Sequence, residues 1–276
     1  MAEAEWFAAN RENWDERVAI HVASTMYDVD GLRAGDASLD PIVDGVLGDV
    51  TGLRIAHLQC HFGRDSLVLA RRGAASVTGL DFSPPAIAQA TELAHELGLP
   101  ARFVLGNLYD TRALIPEPGG FDLVYATWGT IGWLPDIAGW AAIVAWLLKP
   151  GGCLAFAEGH PAALVFDSAV KRPDGLPGFY VPYFHEGPLV EDGGTDYADE
   201  TATLTRTRTF EWMHPVSRVI GELMAAGLTL EHFGEHDAVP WRMFGCLTPA
   251  EDGLFRFADR PWLPLSYALR MRKAPG

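Results

Sequence analysis

The sequence is poor in cysteine and has no long apolar run. Its 276 residues include three cysteines, Cys60, Cys153 and Cys246, which lie far apart and form no Cys-x-x-Cys pair. We therefore expect neither a disulfide framework nor a cysteine-rich zinc site, and this usage fits a reducing cytoplasm. No stretch approaches the roughly 20 apolar residues of a membrane span, and the first residues have no signal-peptide pattern. We expect a cytoplasmic protein without a membrane partner.

Positive charge is also scarce. The 21 Lys and Arg residues against 36 Asp and Glu give a formal net charge of −15. Such a surface repels phosphate backbones, so nucleic acid is not an expected partner. No His-Glu-x-x-His motif or paired-carboxylate pattern indicates a catalytic metal, and we expect none. The chain is 49% hydrophobic, which is enough for a large core.

Strands and helices are predicted to alternate between residues 53 and 158. Five apolar runs indicate short buried strands, at residues 53–58, 76–80, 102–105, 121–126 and 153–157. This alternation predicts a doubly wound α/β fold, with a mostly parallel, Rossmann-like sheet that helices cover on both faces. Ligands of such sheets bind beyond the carboxyl ends of the strands, where the strand order reverses.

The regions outside this alternation have other patterns. Apolar residues at helical spacing predict a helix over residues 3–27, and alternation predicts an antiparallel strand over residues 201–212. Two last apolar runs, 228–233 and 265–271, would bring the sheet to seven strands. The chain is thus divided into four parts: an N-terminal helical lid over 1–50, a cofactor-binding core over 51–160, a cap insertion over 161–212, and a completion of the core sheet over 213–276.

Two residues near the ends of the first two strands indicate a nucleotide-like ligand. Gly63 stands in a strand–turn–helix unit, where it would let the backbone approach a ligand; an ordinary turn glycine is the alternative. Asp81 ends the second strand, where a carboxylate can accept both hydroxyls of a ribose; a helix-capping aspartate is the alternative. Together they indicate an adenosine-containing ligand.

Further motifs give the sequence a family resemblance. Residues 55–65 read Ile-Ala-His-Leu-Gln-Cys-His-Phe-Gly-Arg-Asp, residues 77–83 read Val-Thr-Gly-Leu-Asp-Phe-Ser, residues 121–127 read Phe-Asp-Leu-Val-Tyr-Ala-Thr, and residues 147–152 read Leu-Leu-Lys-Pro-Gly-Gly. Over this region the chain resembles the class I S-adenosylmethionine-dependent methyltransferases, and its loop is similar to that of a bacterial small-molecule subgroup that reads His-Leu-Gln-Cys-His-x-Gly. The resemblance implies an enzyme that transfers the methyl group of S-adenosylmethionine, in line, to a small-molecule acceptor.

The resemblance also implies roles for individual residues. It gives four contacts to the nucleoside: Asp81 to the ribose, Phe82 and Leu108 beside the adenine ring, and Asn107 to the adenine amino group. Thr127 and Trp128 would line the pocket near the methyl sulfonium, where an aromatic face favours a cation. A turn role for Asn107 and core packing for Trp128 are the alternatives.

The glycine-rich loop departs from the commonest family pattern, acidic-x-Gly-x-Gly-x-Gly. His57 stands at the acidic position, Gln59 and His61 stand at the first two glycines, and only Gly63 remains. Either the pocket is adapted, with Gln59 or His61 near the methionine end of the cofactor, or the affinity for the cofactor is impaired. The later motifs are intact, which favours adaptation.

A hydroxyl or protonated amine acceptor must lose a proton, and histidine can accept it near neutral pH. His160, directly after the fifth strand, is the first candidate for this base. His214 and His236 are further candidates, and a structural role is the alternative for all three.

The lid and the cap are expected to close over the carboxyl ends of the strands and to form the acceptor pocket. Both segments carry large aromatic side chains that need a cover: Trp6, Trp14, Tyr180, Tyr183, Phe184 and Trp212. Packing against the sheet and a homodimer interface are the alternatives.

Two other functions compete with the methyltransferase. One is a non-catalytic regulatory protein of the same fold that binds S-adenosylmethionine or S-adenosylhomocysteine. The other is a nicotinamide oxidoreductase, which is disfavoured because the Gly-x-Gly-x-x-Gly pattern that admits a pyrophosphate is missing.

Overall fold

The structure is a computed structural model that describes residues 3–199, 201–259 and 261–276, so residues 1 and 2 of the predicted lid lie outside the described residues. The helices are α1 (Glu3–Ala23), α2 (Val29–Ala34), α3 (Pro41–Leu47), α4 (Arg64–Arg71), α5 (Pro84–Leu97), α6 (Thr111–Leu114), α7 (Ile137–Leu147) and α8 (Val216–Ala225), with short 3-10 helices at Leu108–Asp110 and Ile131–Trp133. The strands are β1 (Arg54–Leu58), β2 (Ser76–Asp81), β3 (Ala101–Leu105), β4 (Phe121–Thr127), β5 (Leu148–Gly159), β6 (Phe166–Asp167), β7 (Gly178–Phe179), β8 (Leu189–Asp192), β9 (Arg208–Glu211), β10 (Leu228–His236), β11 (Ala238–Val239), β12 (Leu247–Pro249), β13 (Phe255–Phe257) and β14 (Ser266–Lys273).

The centre of the molecule is a seven-stranded sheet with the order β10-β14-β5-β4-β1-β2-β3. Strands β1 to β5 are parallel, and β14 runs antiparallel to its neighbours β5 and β10. The prediction of a doubly wound, mostly parallel, seven-stranded Rossmann-like sheet with an N-terminal helix is therefore confirmed. The strand order reverses between β1 and β4, which is where a ligand cleft is expected.

Two apolar clusters cover the two faces of this sheet. Successive strand residues alternate between them: Ile55 and Leu123 belong to one cluster, and their neighbours Ala56 and Val124 belong to the other. The first cluster packs under α2 to α5, and the second packs under α7 and α8. Burial on both faces explains why the strands read as continuous apolar runs.

Side-chain caps begin several helices. Asp40 accepts hydrogen bonds from the backbone N–H groups of Ile42 and Val43 and is followed by Pro41 at the first position of α3. Ser83 accepts from the N–H of Ala86 and begins α5 in the same way. These residues satisfy N–H groups that a helix start leaves without partners.

Three sequence-based boundaries are wrong. Helix α1 ends at Ala23 instead of residue 27, because the N–H and the hydroxyl of Ser24 both turn back to the carbonyl of His21. Strand β5 begins at Leu148 instead of residue 153, so it includes the Lys-Pro-Gly-Gly segment that precedes the predicted strand. Within the predicted strand 201–212, only Arg208–Glu211 forms a strand, paired with the four residues of β8.

Outside the sheet, α1 packs on β9. The side-chain amide of Asn10 bonds both backbone groups of Phe210, at 2.7 and 2.8 Å, and the ring of Trp6 meets the ring of Trp212 edge-on at 5.3 Å. A three-stranded sheet of β11, β13 and β12, which the sequence does not predict, lies between β10 and β14 in the chain. These segments border the cleft at the carboxyl ends of the central strands.

Candidate cofactor and acceptor site

A cavity of about 560 Å³ lies at the carboxyl ends of β1, β2 and β4, and its volume falls within the usual range for small-molecule sites. Eight of the nine residues predicted to hold the cofactor line this cavity together: Gln59, His61, Asp81, Phe82, Asn107, Leu108, Thr127 and Trp128. The exception is Gly63. Four chain segments that are distant in sequence thus meet where the strand order reverses, as the fold requires.

Asp81 lies at the end of β2 with its carboxylate almost fully buried. One oxygen accepts the backbone N–H of His61 at 2.8 Å, and the other accepts the N–H of Ser83 at 3.0 Å. Each oxygen retains a lone pair that could accept a ribose hydroxyl. Burial raises the pKa of Asp81 to about 6, although the backbone hydrogen bonds oppose this shift.

Asn107 and Leu108 follow β3 on the same side of the cavity. The side-chain oxygen of Asn107 accepts the backbone N–H of Tyr109 at 3.0 Å, so the residue also caps the short helix at Leu108–Asp110. The turn role and the predicted adenine contact are compatible, because an amide oxygen has two lone pairs.

The loop after β1 has backbone angles typical of glycine at the two positions where the commonest family pattern has glycine and this chain does not. Gln59 has φ 55° and His61 has φ 50°, both in the left-handed region. Such a conformation in a residue other than glycine costs on the order of 1–3 kcal/mol and persists only where the surroundings hold it. The side-chain amide of Gln59 donates to the carbonyl of Thr130 at 2.8 Å, which ties this loop to the turn after β4.

Gly63 has a role different from the predicted one. It has φ 76° and begins α4, but it does not line the cavity. A Cβ atom there would lie 2.6 Å from the ring of Phe103 and 2.9 Å from Cβ of Ala90. The glycine therefore lets the loop pack on β3 and α5, and the structure gives no support to its prediction as a ligand contact.

His57, at the family's acidic position, is neutral near physiological pH. Its Nδ1 atom lies 2.8 Å from the hydroxyl of Ser66, and burial lowers the pKa of His57 to about 4 against the opposing charge of Asp65. Negative charge on this side of the cavity comes instead from Asp40 and Asp65, which also line it. The indole N–H of Trp128 donates to Asp40 at 2.8 Å.

The sequence gives no role to Glu158, which shapes the turn beside Thr127 and Trp128. Its buried carboxylate accepts the backbone N–H groups of Gly129 and Thr130 at 2.7 Å and of Gly159 at 2.8 Å. These bonds hold the turn in which Trp128 has φ 46°. The acidic residue at the end of the fifth strand is the only sequence signal for this role.

The three predicted base candidates do not line the cavity. His160 is bonded at both ring nitrogens, to Glu235 at 3.0 Å and to the N–H of Ala162 at 3.1 Å. His214 bonds the carbonyl of Leu134 at 2.8 Å. Burial lowers the pKa of all three, His236 included. The structure does not bring these side chains to the predicted cofactor residues, so their catalytic roles remain predictions without geometric support.

The cover of the cavity differs from the predicted one. Of the six aromatic residues expected to form it, only Trp14 lines the cavity; Tyr180 and Phe184 are 38% and 77% exposed. The cover consists of α1, the turn after it, Tyr197, and the unpredicted segment around β11 to β13, with these lining residues: Phe7, Trp14, Met26, Tyr27, Tyr197, Pro240, Trp241, Asp252, Gly253 and Leu254.

A buried polar cluster joins this cover to the loop after β1. His21 of α1 lies between His61, at 2.8 Å, and the carboxylate of Asp196, at 3.0 Å. Arg17 of the same helix reaches Asp196 at 2.7 Å. The sequence analysis missed this cluster, because its members come from three segments with no common motif.

Two classes of feature do not occur in the part of the chain that the structure describes. Residues 3–199, 201–259 and 261–276 contain no group of three or more His, Cys, Asp or Glu side chains that could hold a metal ion. No helix within the same ranges has both the length and the apolar character to span a bilayer.

Comparison with known proteins identifies the central segment. Residues 55–152 match the family model described as a methyltransferase domain. No curated protein matches the sequence. Among solved structures, an S-adenosylmethionine-dependent methyltransferase from Mesorhizobium loti is similar, with 23% identity, a TM-score of 0.60, and coverage of 84% of this chain and 96% of that one.

Two further solved structures share the fold. A SAM-dependent methyltransferase from Methanosarcina mazei has 19% identity and a TM-score of 0.56, with coverage of 87% of this chain and 100% of that one. A geranyl diphosphate C-methyltransferase from Streptomyces coelicolor, solved with Mg²⁺, geranyl diphosphate and S-adenosyl-L-homocysteine, has 13% identity and a TM-score of 0.52, with coverage of 84% and 74%.

The domain match confirms the predicted enzyme class, a methyltransferase. The low identities to the solved structures show the fold alone. Residues 55–152 are therefore similar to a methyltransferase domain, and the chain has the fold of the solved methyltransferases compared with it.

Proposed function

We propose that this protein transfers the methyl group of S-adenosylmethionine, in line, to a small-molecule acceptor. One observation carries the proposal: a single cavity joins Asp81, which suits a ribose, to a covered space beside Thr127 and Trp128. A cavity of about 560 Å³ suits small ligands better than a polymer. The formal charge of −15 also disfavours a nucleic-acid substrate.

The residues present fit the cofactor. Asp81 would accept the ribose hydroxyls, Phe82 and Leu108 would flank the adenine, and Asn107 would accept from its amino group. Gln59 lies in the loop that would face the methionine end, and it is held there by its bond to Thr130. We infer that the loop is adapted, because it retains the left-handed backbone of the missing glycines.

The chain's part in methyl transfer is mainly to position the reactants. The cofactor supplies an activated methyl group on a sulfonium, so the protein must align acceptor and donor and exclude water. The cover formed by α1, Tyr197 and residues 240–254 suits this task. We propose that the predicted lid, residues 1–50, contributes to this cover through α1, and that the predicted cap, residues 161–212, contributes through Tyr197. Both would surround the cofactor-binding core, residues 51–160, whose sheet residues 213–276 complete.

Calorimetry followed by a turnover assay tests this function. Titration with S-adenosylmethionine and S-adenosylhomocysteine should show binding to the wild type and to Asp49→Ala, an exposed control, and weaker binding to Asp81→Ala. Release of S-adenosylhomocysteine is then measured with a panel of hydroxyl, amine, thiol and carbon acceptors. Binding without turnover on any acceptor would favour the regulatory alternative. Binding of NAD(H) in place of the methyl donor would overturn the proposal.

A further inference from the structure

We propose that Asp196, His21 and His61 form a proton relay that ends in the cavity and deprotonates the acceptor. The acceptor is accordingly a protic nucleophile such as a hydroxyl group. This inference rests on the proposed methyl transfer and adds to it the base and the substrate class.

The three side chains form a continuous hydrogen-bonded chain. The carboxylate of Asp196 lies 3.0 Å from Nε2 of His21, and Nδ1 of His21 lies 2.8 Å from Nε2 of His61. The side chains of Asp196 and His21 are fully buried. Three separate segments supply the chain: the insertion, helix α1 and the loop after β1.

With His21 neutral, as the relay requires, the order of these bonds determines the tautomer of each ring. An ionised Asp196 can only accept, so Nε2 of His21 carries a proton. In a neutral His21 the Nδ1 atom then accepts, and Nε2 of His61 must donate to it. A neutral His61 consequently has a lone pair on Nδ1. The chain of bonds thus leaves a basic nitrogen at its end.

That nitrogen belongs to a residue that lines the cavity. His61 is one of the lining residues, and its Nδ1 atom has no hydrogen-bond partner among the described residues. Trp14 and Tyr27, which also line the cavity, border the ring at centroid distances of 5.4 and 5.8 Å. An acceptor in this space would meet both the base and the aromatic cover.

Burial keeps the ring of His61 neutral. It lowers the pKa of His61 well below its ordinary value; the charge of Arg17 adds to this shift, and Asp196 opposes it. Burial acts to raise the pKa of Asp196, but the hydrogen bonds from His21 and from the backbone of Ala198, together with the charge of Arg17, bring it below its ordinary value.

Other titratable groups that face the cluster are Tyr27, Tyr197 and Asp81. The two tyrosine hydroxyls bond each other at 2.6 Å, and burial raises the pKa of both, so they stay uncharged. Asp81 meets the backbone of His61, at 2.8 Å. A neutral His61 holds a free lone pair near neutral pH and does not repel a sulfonium.

Backbone strain is a second, independent observation. His61 has φ 50°, a conformation that glycine adopts without cost, yet a bulky ring stands there. Strained positions of this kind cluster at functional sites. The ring is the part of the residue that a glycine could not supply, and it connects the cavity to His21.

The step balances without a further reactant. As the acceptor oxygen forms its bond to the methyl carbon, the carbon–sulfur bond breaks and sulfur keeps the electron pair, which leaves S-adenosylhomocysteine. The proton of the hydroxyl passes to Nδ1 of His61. The proton on Nε2 of His61 can shift to His21, whose positive charge then faces Asp196. One proton is released to water with the products.

His61→Gly is the sharpest variant, because glycine keeps the left-handed backbone and leaves a space for free imidazole. We expect turnover to fall by about 10²–10⁴-fold, the usual contribution of a general base. The affinity for S-adenosylhomocysteine should change less than threefold. Added imidazole should restore part of the rate, increasingly as the pH rises through the pKa of imidazole, and should not affect the exposed control His95→Asn.

Asp196→Asn tests the relay at its far end. An amide can donate to His21, which would reverse both tautomers and place a proton on Nδ1 of His61. We expect turnover to fall by at least tenfold at an unchanged KM for S-adenosylmethionine. Nitrogen-15 correlation spectra of the wild-type imidazoles give a readout without turnover: His61 should carry its proton on Nε2.

The outcomes separate the relay from the proposed function. A wild type that binds no S-adenosylmethionine would overturn the proposed function, and with it the relay. An active wild type with unchanged turnover in folded His61→Gly would overturn the relay alone. The relay would also be overturned if His61→Gly lost turnover together with cofactor affinity and imidazole did not restore the rate, since His61 would then be a cofactor contact. A proton on Nδ1 of His61 in the spectra would overturn it as well.

Discussion

The two sides of the cavity are built in different ways. The side formed by the ends of β1 to β4 uses short motifs, in which Asp81 ends β2 and Asn107 lies two residues beyond β3. The other side is assembled from helix α1, Tyr197 and the segment over 240–254, which are distant in sequence. The first side has the residues suited to a cofactor shared by many enzymes, and the second surrounds the space left for an acceptor.

The two sides also differ in the hydrogen-bond partners of their polar side chains. On the first side, polar side chains bond mainly to backbone groups of the loops that follow the strands, as Asp81 does with Ser83 and His61. On the second side, Asp196 bonds a histidine 175 positions away in the chain. Bonds from a side chain to the loop backbone hold a loop in shape, whereas bonds between side chains distant in sequence couple separate segments to the site.

The largest effect expected on the first side is at Gly63. Gly63→Ala should lower the free energy of unfolding by about 2–5 kcal/mol, from left-handed strain together with overpacking against Phe103 and Ala90. Gly52→Ala is the matched control, since it has φ 74° with no atom within 4 Å of the added Cβ, and it should lose only about 1–2 kcal/mol. Urea unfolding measures both. Equal losses in the two variants would mean that Gly63 does not serve packing.

Asp81→Ala tests the cofactor contact on the same side. The variant should bind S-adenosylmethionine about 1.5–3 kcal/mol more weakly, because hydrogen bonds to a charged acceptor are lost. Calorimetry at pH 7.5 or above, where the wild-type carboxylate is ionised, measures the difference. Unchanged affinity in a folded variant would remove the ribose role from Asp81.

The pKa of Asp81 gives a smaller, pH-dependent effect. Burial raises this pKa to about 6, so the carboxylate is ionised above that pH and neutral below it. If the ionised form receives the ribose hydroxyls, affinity for the cofactor should fall by up to about tenfold for each pH unit below 6. Asp81→Asn should bind weakly with a flatter profile between pH 5 and 7. The same slope in both proteins would assign the titration to another group.

The smallest effect is expected at Gln59. Gln59→Gly relieves the left-handed strain, a gain of about 1 kcal/mol, and loses the bond to Thr130, a loss of about 1 kcal/mol. The free energy of unfolding should therefore change by less than about 1 kcal/mol, in contrast to the large loss at Gly63. A loss of more than about 2 kcal/mol would show that Gln59 supports the turn after β4 more strongly than one hydrogen bond does.

Sequence alone determined the parallel sheet, the placement of Asp81, Phe82, Asn107 and Leu108 at one edge, and the methyltransferase class. Buried strands read as apolar runs, and the residue after a parallel strand must lie at its carboxyl edge. Only the tertiary structure decided the packing role of Gly63, the distance of His160 from the cavity, and the chain from Asp196 through His21 to His61. The periodicity of apolar residues indicates which face of a helix or strand is buried, but it does not indicate which distant segment covers that face. Hydrogen bonds between buried polar groups depend on distances of about 3 Å, which are set only when those segments pack.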